Sequence, residues 1–526
     1  MKLIRTLALL FVMLTSLTIV LFAGFTETMA QTVAAQQSPS AQAQAKRSVN
    51  PLAVFPKDRI LQRINRSATV TLTGHVHRRA QAEFDAGPVA GDAKMPGMIL
   101  VLKRDPEQQE ALDAFSAALQ DPSSPMYQQW LTPAEFGLHF GVSQNDLDQV
   151  MSWLRSEGFT IDDVPAGHWM IVFSGTAAQV ENAFHAGIRN YRIGENVYYA
   201  NSQDPRVPEA LSGVVQSISG LHNFPPVPAS GTKIVPDAVN TSGQHGLFPS
   251  DFATIYNLNP LYTSGYNGSG VNIAVIAPCA AAATVLPVAQ AFWTLEQLSS
   301  ASSSYWNYGT PAACTSSSGF LTEAELDVEW SGAVAQGAKI WLVSSNAADP
   351  LFGAITGIVN SGVGSSNTFV PVISMSYGEP EIPSIHQAWN SLWQQAHVSG
   401  ITGVVGSGDS GAAGADGANS TTAIYGLVIN GLCASPYVVC VGGTQFNDAS
   451  NPGQYWSSGG AAHRATYPRW RGTKADPMAE VTCWLQGAAT VRSVPSRVGR
   501  QGIQTSTGEC RMSRFQPRRT MDTSSV

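Results

Sequence analysis

Five apolar runs govern what the second half of this chain can fold into: VNIAVIA (271–277), KIWLVSS (339–345), VPVISMS (370–376), ITGVVGSG (401–408) and YVVCVGG (437–443). None alternates apolar with polar residues, as a strand with one wet face would. Strands that read apolar on both faces belong to parallel sheets covered by helices on either side. Helical or mixed segments separate the five, so the expected architecture is a doubly wound parallel α/β sheet, with ligand sites at the carboxyl ends of its strands. At 526 residues, 44% of them hydrophobic, the chain has room for two to three domains, each with its own core.

The first half obeys a different grammar. MILVL (98–102) reads as a buried strand, and three helix starts follow, each a capping box. Thr132 pairs with Glu135, Ser143 with Asp146 as an acidic variant, and Thr176 with Gln179. A strand over 169–173 precedes the third box, and 188–191 with 197–200 flank Gly194-Glu195 as a hairpin. This order predicts a compact α+β domain with an antiparallel sheet, of ferredoxin-like type, over 55–222. Residues 223–247, rich in Pro, Gly and Ser without apolar period, read as an exposed, cuttable linker ahead of a domain over 248–460.

The ends carry other signals. Lys2 and Arg5, an uncharged apolar run over 6–25 and the small-x-small site Thr28-Met29-Ala30 make residues 1–30 an export signal, placing the product outside the cell or in the periplasm. A retained anchor is the alternative reading, since about 20 apolar residues just span a bilayer. Residues 31–54, rich in Ala, Gln and Ser, read as a disordered leader. Six cysteines (Cys279, Cys314, Cys433, Cys440, Cys483 and Cys510) lack the paired spacing of a zinc site. An exported chain permits disulfides, so one or two bridges of unreadable pairing are expected. Within the net charge of −7, residues 464–526 hold 11 basic residues against 4 acids, a surplus of +7.

TEAELDVEW (322–330) holds four acids at alternate positions. Continued to residue 336 it keeps helical period, with Leu326, Trp330, Ala333 and Val334 on one face. At about 100° per residue, Glu323 and Asp327 project with that face, and Glu325 and Glu329 away from it. Two carboxyls one turn apart in a desolvated site cannot both ionise freely, which suits an acid/base group and its partner. Periodicity equally allows all four to be solvated. In SGDSG (407–411), directly after an apolar strand, Asp409 belongs at the mouth of a site, and a plain Asx-turn is the simpler reading. GDSG followed by Ala461-Ala462-His463 suggests a chymotrypsin-like protease, but the histidine would follow the serine and the surroundings are parallel α/β. His75-x-His77 has no third metal ligand nearby.

The motifs resemble the sedolisins, or serine-carboxyl peptidases, of the kumamolisin type. DPSSPMYQQWLTPAEFG, FSGTAAQVENAFHAGI and YANSQDPRVPEAL are similar to their activation propeptide. LFPSDFATIYNLNPLY, EAELDVEWSGAVAQGAKI, SMSYG, SGDSG and SPYVVCVGGTQF follow in the order of their catalytic domain, so that the likeness runs over about 55–458. The resemblance implies a subtilisin-like catalytic fold, a propeptide packed on its own catalytic domain, and a Ser-Glu-Asp triad. Glu323 would be the general base, Asp327 its partner, Asp409 the oxyanion-hole aspartate and Tyr377 a substrate-groove aromatic. An aspartate donates to an oxyanion only when protonated, so such enzymes favour acid. A monomer acting on protein or peptide substrates is implied, with no nucleic acid and no membrane beyond the export signal.

Downstream of VGGT the sequence departs from that pattern. No Gly-Thr-Ser-Ala nucleophile motif follows, nor the acidic calcium ligands implied near the end, so the nucleophile has no identifiable residue and no metal or cofactor site is assigned. The Arg-rich stretch 461–526 reads as an out-of-frame or atypical tail behind a truncated domain. A secreted, acid-acting endopeptidase zymogen that is itself inactive is the first expectation. A non-catalytic propeptide-type inhibitor or vestigial binding protein is the second.

Overall fold

The computed structural model describes residues 50–228, 248–298, 300–315, 319–416, 422–446 and 481–483. The expected export signal, nearly all of the 31–54 leader, linker residues 229–247 and almost all of the basic tail lie outside the described residues. Pro51–Ala53 form a 3-10 turn in an N-terminal unit that ends at Ala53, and a second unit from Val54 holds all the other elements.

In chain order the first half contains β1 (Thr69–Thr71), β2 (Asp85–Pro88), β3 (Lys94–Leu102), β4 (Thr160–Asp163), β5 (Met170–Thr176), β6 (Ile188–Ile193), β7 (Asn196–Asn201), β8 (Arg206–Pro208) and β9 (Val215–Ser219). Four of them make an antiparallel sheet in the order β4-β5-β3-β9. Helices α1 (Pro106–Gln120), α2 (Pro133–Phe140) and α3 (Gln144–Ser156) lie between β3 and β4, and α4 (Ala177–Phe184) follows β5. First and third strands central, with helices after each, is the ferredoxin-like order expected from the sequence. Leu100, Trp153, Phe173 and Phe184 share its core, where Phe159 meets Phe173 edge-on at 5.1 Å.

The capping boxes at Thr132 and Thr176 form as read. The Ser143 cap forms only half a box, because Asp146, fully buried, turns its carboxylate to the amides of Arg59 and Ile60 at 3.0 and 2.9 Å. A fourth box, Asp105 with Gln108, opens α1 and was not anticipated. The hairpin turns at Gly194-Glu195 as expected. Segment 223–228 is not an open linker: Phe224 is buried against Tyr191 and Ala200, and Val227–Pro228 form a short strand, β10.

The second half adds β11 (Asn272–Ile276), β12 (Ser302–Tyr308), β13 (Lys339–Ser345), β14 (Val372–Met375), β15 (Tyr377–Gly378), β16 (Thr402–Gly406) and β17 (Val438–Val441). Six strands form one all-parallel sheet in the order β12-β13-β11-β14-β16-β17. The five apolar runs are all present. The sixth strand, β12, was missed because SSSYWNY is a half-exposed edge without an apolar run. Its helices are α5 (Pro249–Ile255), α6 (Asn259–Thr263), α7 (Ala282–Leu295), α8 (Phe320–Val334), α9 (Pro350–Ser361) and α10 (Pro383–Val398). Trp293 of α7 and Val328 of α8 join Val275, Ile340 and Leu342 in one core. Disulfides tie Cys279 to Cys314 and Cys433 to Cys440.

The first half rests on the second through side chains from several elements. Trp169 Nε1 donates to Gln395 at 2.7 Å, Ser384 Oγ to the Gly74 carbonyl at 2.8 Å, and Arg79 Nε to the Ala415 carbonyl at 2.7 Å. Among the described residues no helix is long and apolar enough to cross a membrane.

Candidate functional site

The site is built around α8 and the ends of β14 and β16. Helix α8 packs between α7 and the sheet, so most of its circumference is covered: Trp293 Nε1 donates to the Glu329 carbonyl at 2.8 Å, and Ala324, Val328 and Gly332 are buried. The helical phase read from Leu326 and Trp330 is therefore off. Both are only half-buried, and the most buried stripe runs through 324, 328 and 332. The inference about the acids survives the shift in part. Glu323 is 2% exposed and Asp327 half-buried with its Oδ2 sealed from solvent. Glu325 and Glu329, expected in water, are half-buried as well, and burial followed by the Glu325 charge pushes Glu329 up to about 7.

Asp327 is the focus. Ser376 Oγ donates to its Oδ1 at 2.7 Å, while Oδ2 has no hydrogen-bond partner among the described residues. Burial, and then the charge of Glu323 one turn away, raise its carboxyl to about 8 against the opposing pull of Ser376. A group so placed holds a proton throughout the acid and neutral range. Tyr377, expected to line the groove with its ring, is fully buried: the ring packs 6.0 Å from Phe320, its hydroxyl has no partner among the described residues, and burial with the Asp327 and Glu323 charges holds it well above the usual phenol range. What Tyr377 offers a ligand is its backbone, because β15 lies outside the six-stranded sheet as a short strand of its own.

Asp409 stands on the turn directly after β16, exposed, in a cleft with Gly378, Glu379, Ser410 and Asn430. Gly408 at φ +89° and Gly411 at +54° let this turn fold back on itself, a course strained for residues with a side chain. Partial burial holds its carboxyl above the ordinary value. Asn430 stitches the cleft together. Its Nδ2 donates to the carbonyls of Tyr377 (3.1 Å) and Gly406 (2.9 Å), and its Oδ1 accepts from the amides of Glu379 (3.2 Å) and Leu432 (3.0 Å). Tyr377 and its neighbour Gly378 thus bridge the α8 carboxyls on one side and the Asp409 cleft on the other.

That edge is occupied by the chain itself. β10, the last described piece of the first half, pairs antiparallel with β15, Val227 opposite Gly378 and Pro228 opposite Tyr377. Val227 and Pro228 line the Asp409 cleft. The segment leading out of the first half therefore runs along the site as an extended peptide.

Comparison with known proteins agrees with this layout. Residues 84–224 match the pro-kumamolisin activation domain. Kumamolisin of Bacillus sp. (strain MN-32) is 26% identical over 464 residues, covering 81% of this chain and 77% of that protein. Xanthomonalisin of Xanthomonas sp. (strain T-22) is 25% identical over 397 residues, covering 66% of this chain but only 45% of that protein. These matches support the sedolisin family, of the kumamolisin type. The chain spans less than half the length of one of the curated relatives it matches. Pseudomonas sedolisin (serine-carboxyl proteinase) complexed with two molecules of pseudo-iodotyrostatin overlaps 38% of this chain and 54% of its own, at 22% identity and a TM-score of 0.32, an overlap too slight to build on.

Within the site, Ser376 and Asn430 are the residues that sequence reading missed. Ser376 lay inside the quoted SMSYG motif next to Tyr377. Asn430, in a loop without pattern, gave no signal at all. Among the described residues no group of three His, Cys, Asp or Glu stands close enough to hold a metal ion, and the calcium site implied by the resemblance falls outside them.

Proposed function

We propose that this sedolisin is the proenzyme form of an acid-acting serine-carboxyl endopeptidase, exported and acting on extended peptides. Glu323 serves as the general base for a serine, Asp327 as the proton-holding partner that orients it, and Asp409, when protonated, as a donor to the oxyanion. Residues 55–222 act as the propeptide. The observation that carries the reading is β10: the propeptide's own exit strand lies on the Tyr377–Gly378 edge beside Asp409, the way a peptide is recognised by strand addition. Acid chemistry fits the desolvated pair, which in the acid range keeps at least one proton at Asp327.

Residues 1–526 contain no Gly-Thr-Ser-Ala segment after Gly443. We therefore infer that this polypeptide by itself does not form an acyl-enzyme. Cutting the linker between 229 and 247 with an added protease should let the chain bind a labelled extended peptide at about pH 4 more tightly than the uncut chain does, with no products released. Product release would overturn the inactivity, and failure of the cut chain to bind would overturn the groove. The same occupancy favours a second reading, a propeptide-type inhibitor, which predicts that the chain slows an intact relative such as kumamolisin.

A further inference from the structure

Three histidines that the site does not use gather where the propeptide meets the peptidase-like domain. His75 and His77 lie on the bend 72–79, and His222 leads into β10. His75 is 4% exposed and spans two chain segments in a single tautomer: its Nδ1–H donates to the Leu72 carbonyl at 2.8 Å, leaving Nε2 to accept the Ile218 amide of β9 at 3.1 Å. A proton on Nε2 sets N–H against N–H and breaks that bridge. His77, also 4% exposed, stacks 4.4 Å from Phe224 and lies 4.7 Å from the tilted His222 ring, and its Nδ1 accepts the Arg79 amide at 3.1 Å. His222 Nδ1 is buried without a partner among the described residues.

The bend is also the bracket between the two domains. At its start the Gly74 carbonyl accepts the Ser384 hydroxyl and amide of α10, and at its end Arg79 donates to the Ala415 carbonyl and sits 5.8 Å above the Tyr425 ring. Both imidazoles lie between these two attachments. We propose that the 74–79 bend, with His75, His77 and the facing His222, is the acid-sensitive latch that holds the propeptide on the peptidase-like domain and keeps β10 in the cleft. This rests on the zymogen reading and adds the place where acid acts.

The surroundings give an imidazolium little compensation. Burial lowers His75 and His222 to about 4 and His77 well below its ordinary value, and the charges of His222, Arg79 and Arg78 push His77 the same way. Across a small cavity from His222 stand Asp349 and Glu379. Burial holds Asp349 up at about 6, and burial with the Asp349 charge holds Glu379 well above its usual range, so both are neutral when acid would need them as counter-charges. Asp204, which accepts the Gly74 and His75 amides, is the carboxylate that pulls His75 the other way, while Asp416 faces Arg79. The sign follows. Histidines held below their unfolded value of about 6.5 leave the closed form fully stable above that pH, and closure weakens as pH falls towards about 4.

Hydrogen exchange on the full chain, corrected for the intrinsic effect of pH, tests the latch. Protection in segments 215–222 and 382–386 should fall at least about a hundred-fold between pH 7 and pH 4, the share of one such histidine alone, with the β3–β5 ladder unchanged. In His75→Gln/His77→Phe/His222→Gln the fall should shrink to less than about threefold. Equal protection at both pH values, or an unchanged fall in the triple variant, overturns the latch. Should that variant not fold, imidazole titration of the unmodified chain by NMR decides: midpoints near 4 support the latch and midpoints near 6.5 refute it. A latch that fails while the linker-cut chain still binds peptide leaves the zymogen reading standing. Failure of peptide binding removes that reading whatever the exchange shows.

Discussion

Replacing Asp327 by Asn keeps the shape of the side chain and an oxygen for Ser376 while removing the ionisable proton. In the fold that proton is held from an ordinary value of 3.8 up to about 8, first by burial and then by Glu323. A displacement of that size corresponds to about 5–6 kcal/mol, which we halve to about 3 kcal/mol because the residue is half-buried and solvent screens part of the field. An acid whose folded value is raised contributes stability that is fully present below about pH 4 and is lost as pH rises through about 8. The parent chain should therefore lose stability across that window for this reason, and Asp327→Asn should not. Urea midpoints followed by tryptophan fluorescence at about pH 4 and pH 9 should show the variant equal to its parent in acid and more stable by about 3 kcal/mol in base. A difference that does not change with pH would mean that Asp327 is ionised in the fold, and the acid/base assignment of α8 would go with it.

Asn430→Ala removes both donors and the acceptor that join Tyr377, Gly406, Glu379 and Leu432; a loss of about 2–4 kcal/mol by urea titration is expected, with weaker peptide binding by the linker-cut chain. Gly332→Ala places a methyl group 2.3 Å from the Trp293 ring on the facing helix, and a destabilisation of about 1–3 kcal/mol should appear with a red-shifted tryptophan emission. Removing the Cys279–Cys314 bridge, which closes a separation of 35 residues, should cost about 3–4 kcal/mol when reduced and oxidised chains are compared in urea.

Much of this molecule is written locally. Parallel strands covered on both faces must be apolar throughout, so β11, β13, β14, β16 and β17 announce themselves, and the boxes at Thr132 and Thr176 do the same for their helices. β12 escapes notice because an edge strand can tolerate Ser302 and an exposed Tyr305. The phase of α8 misled for a related reason: a helix enclosed by α7 and the sheet has no single apolar stripe, so Leu326 and Trp330 marked the wrong face while Gly332 marked the right one. Glu323 and Asp327 were legible as a pair one turn apart. Ser376 and Asn430 were not, because their roles arise from hydrogen bonds across 49 and 53 positions of sequence.

The exit strand ends on a proline. Pro228, opposite Tyr377, has no amide hydrogen to give, so it fits only a station of the antiparallel pair that forms no ladder hydrogen bond, and the hydrogen-bonding station falls to Val227 opposite Gly378. A slip of one residue would set the imino nitrogen where the ladder demands an amide. A single imino acid thus pins the chain's own tenant to one register along the groove.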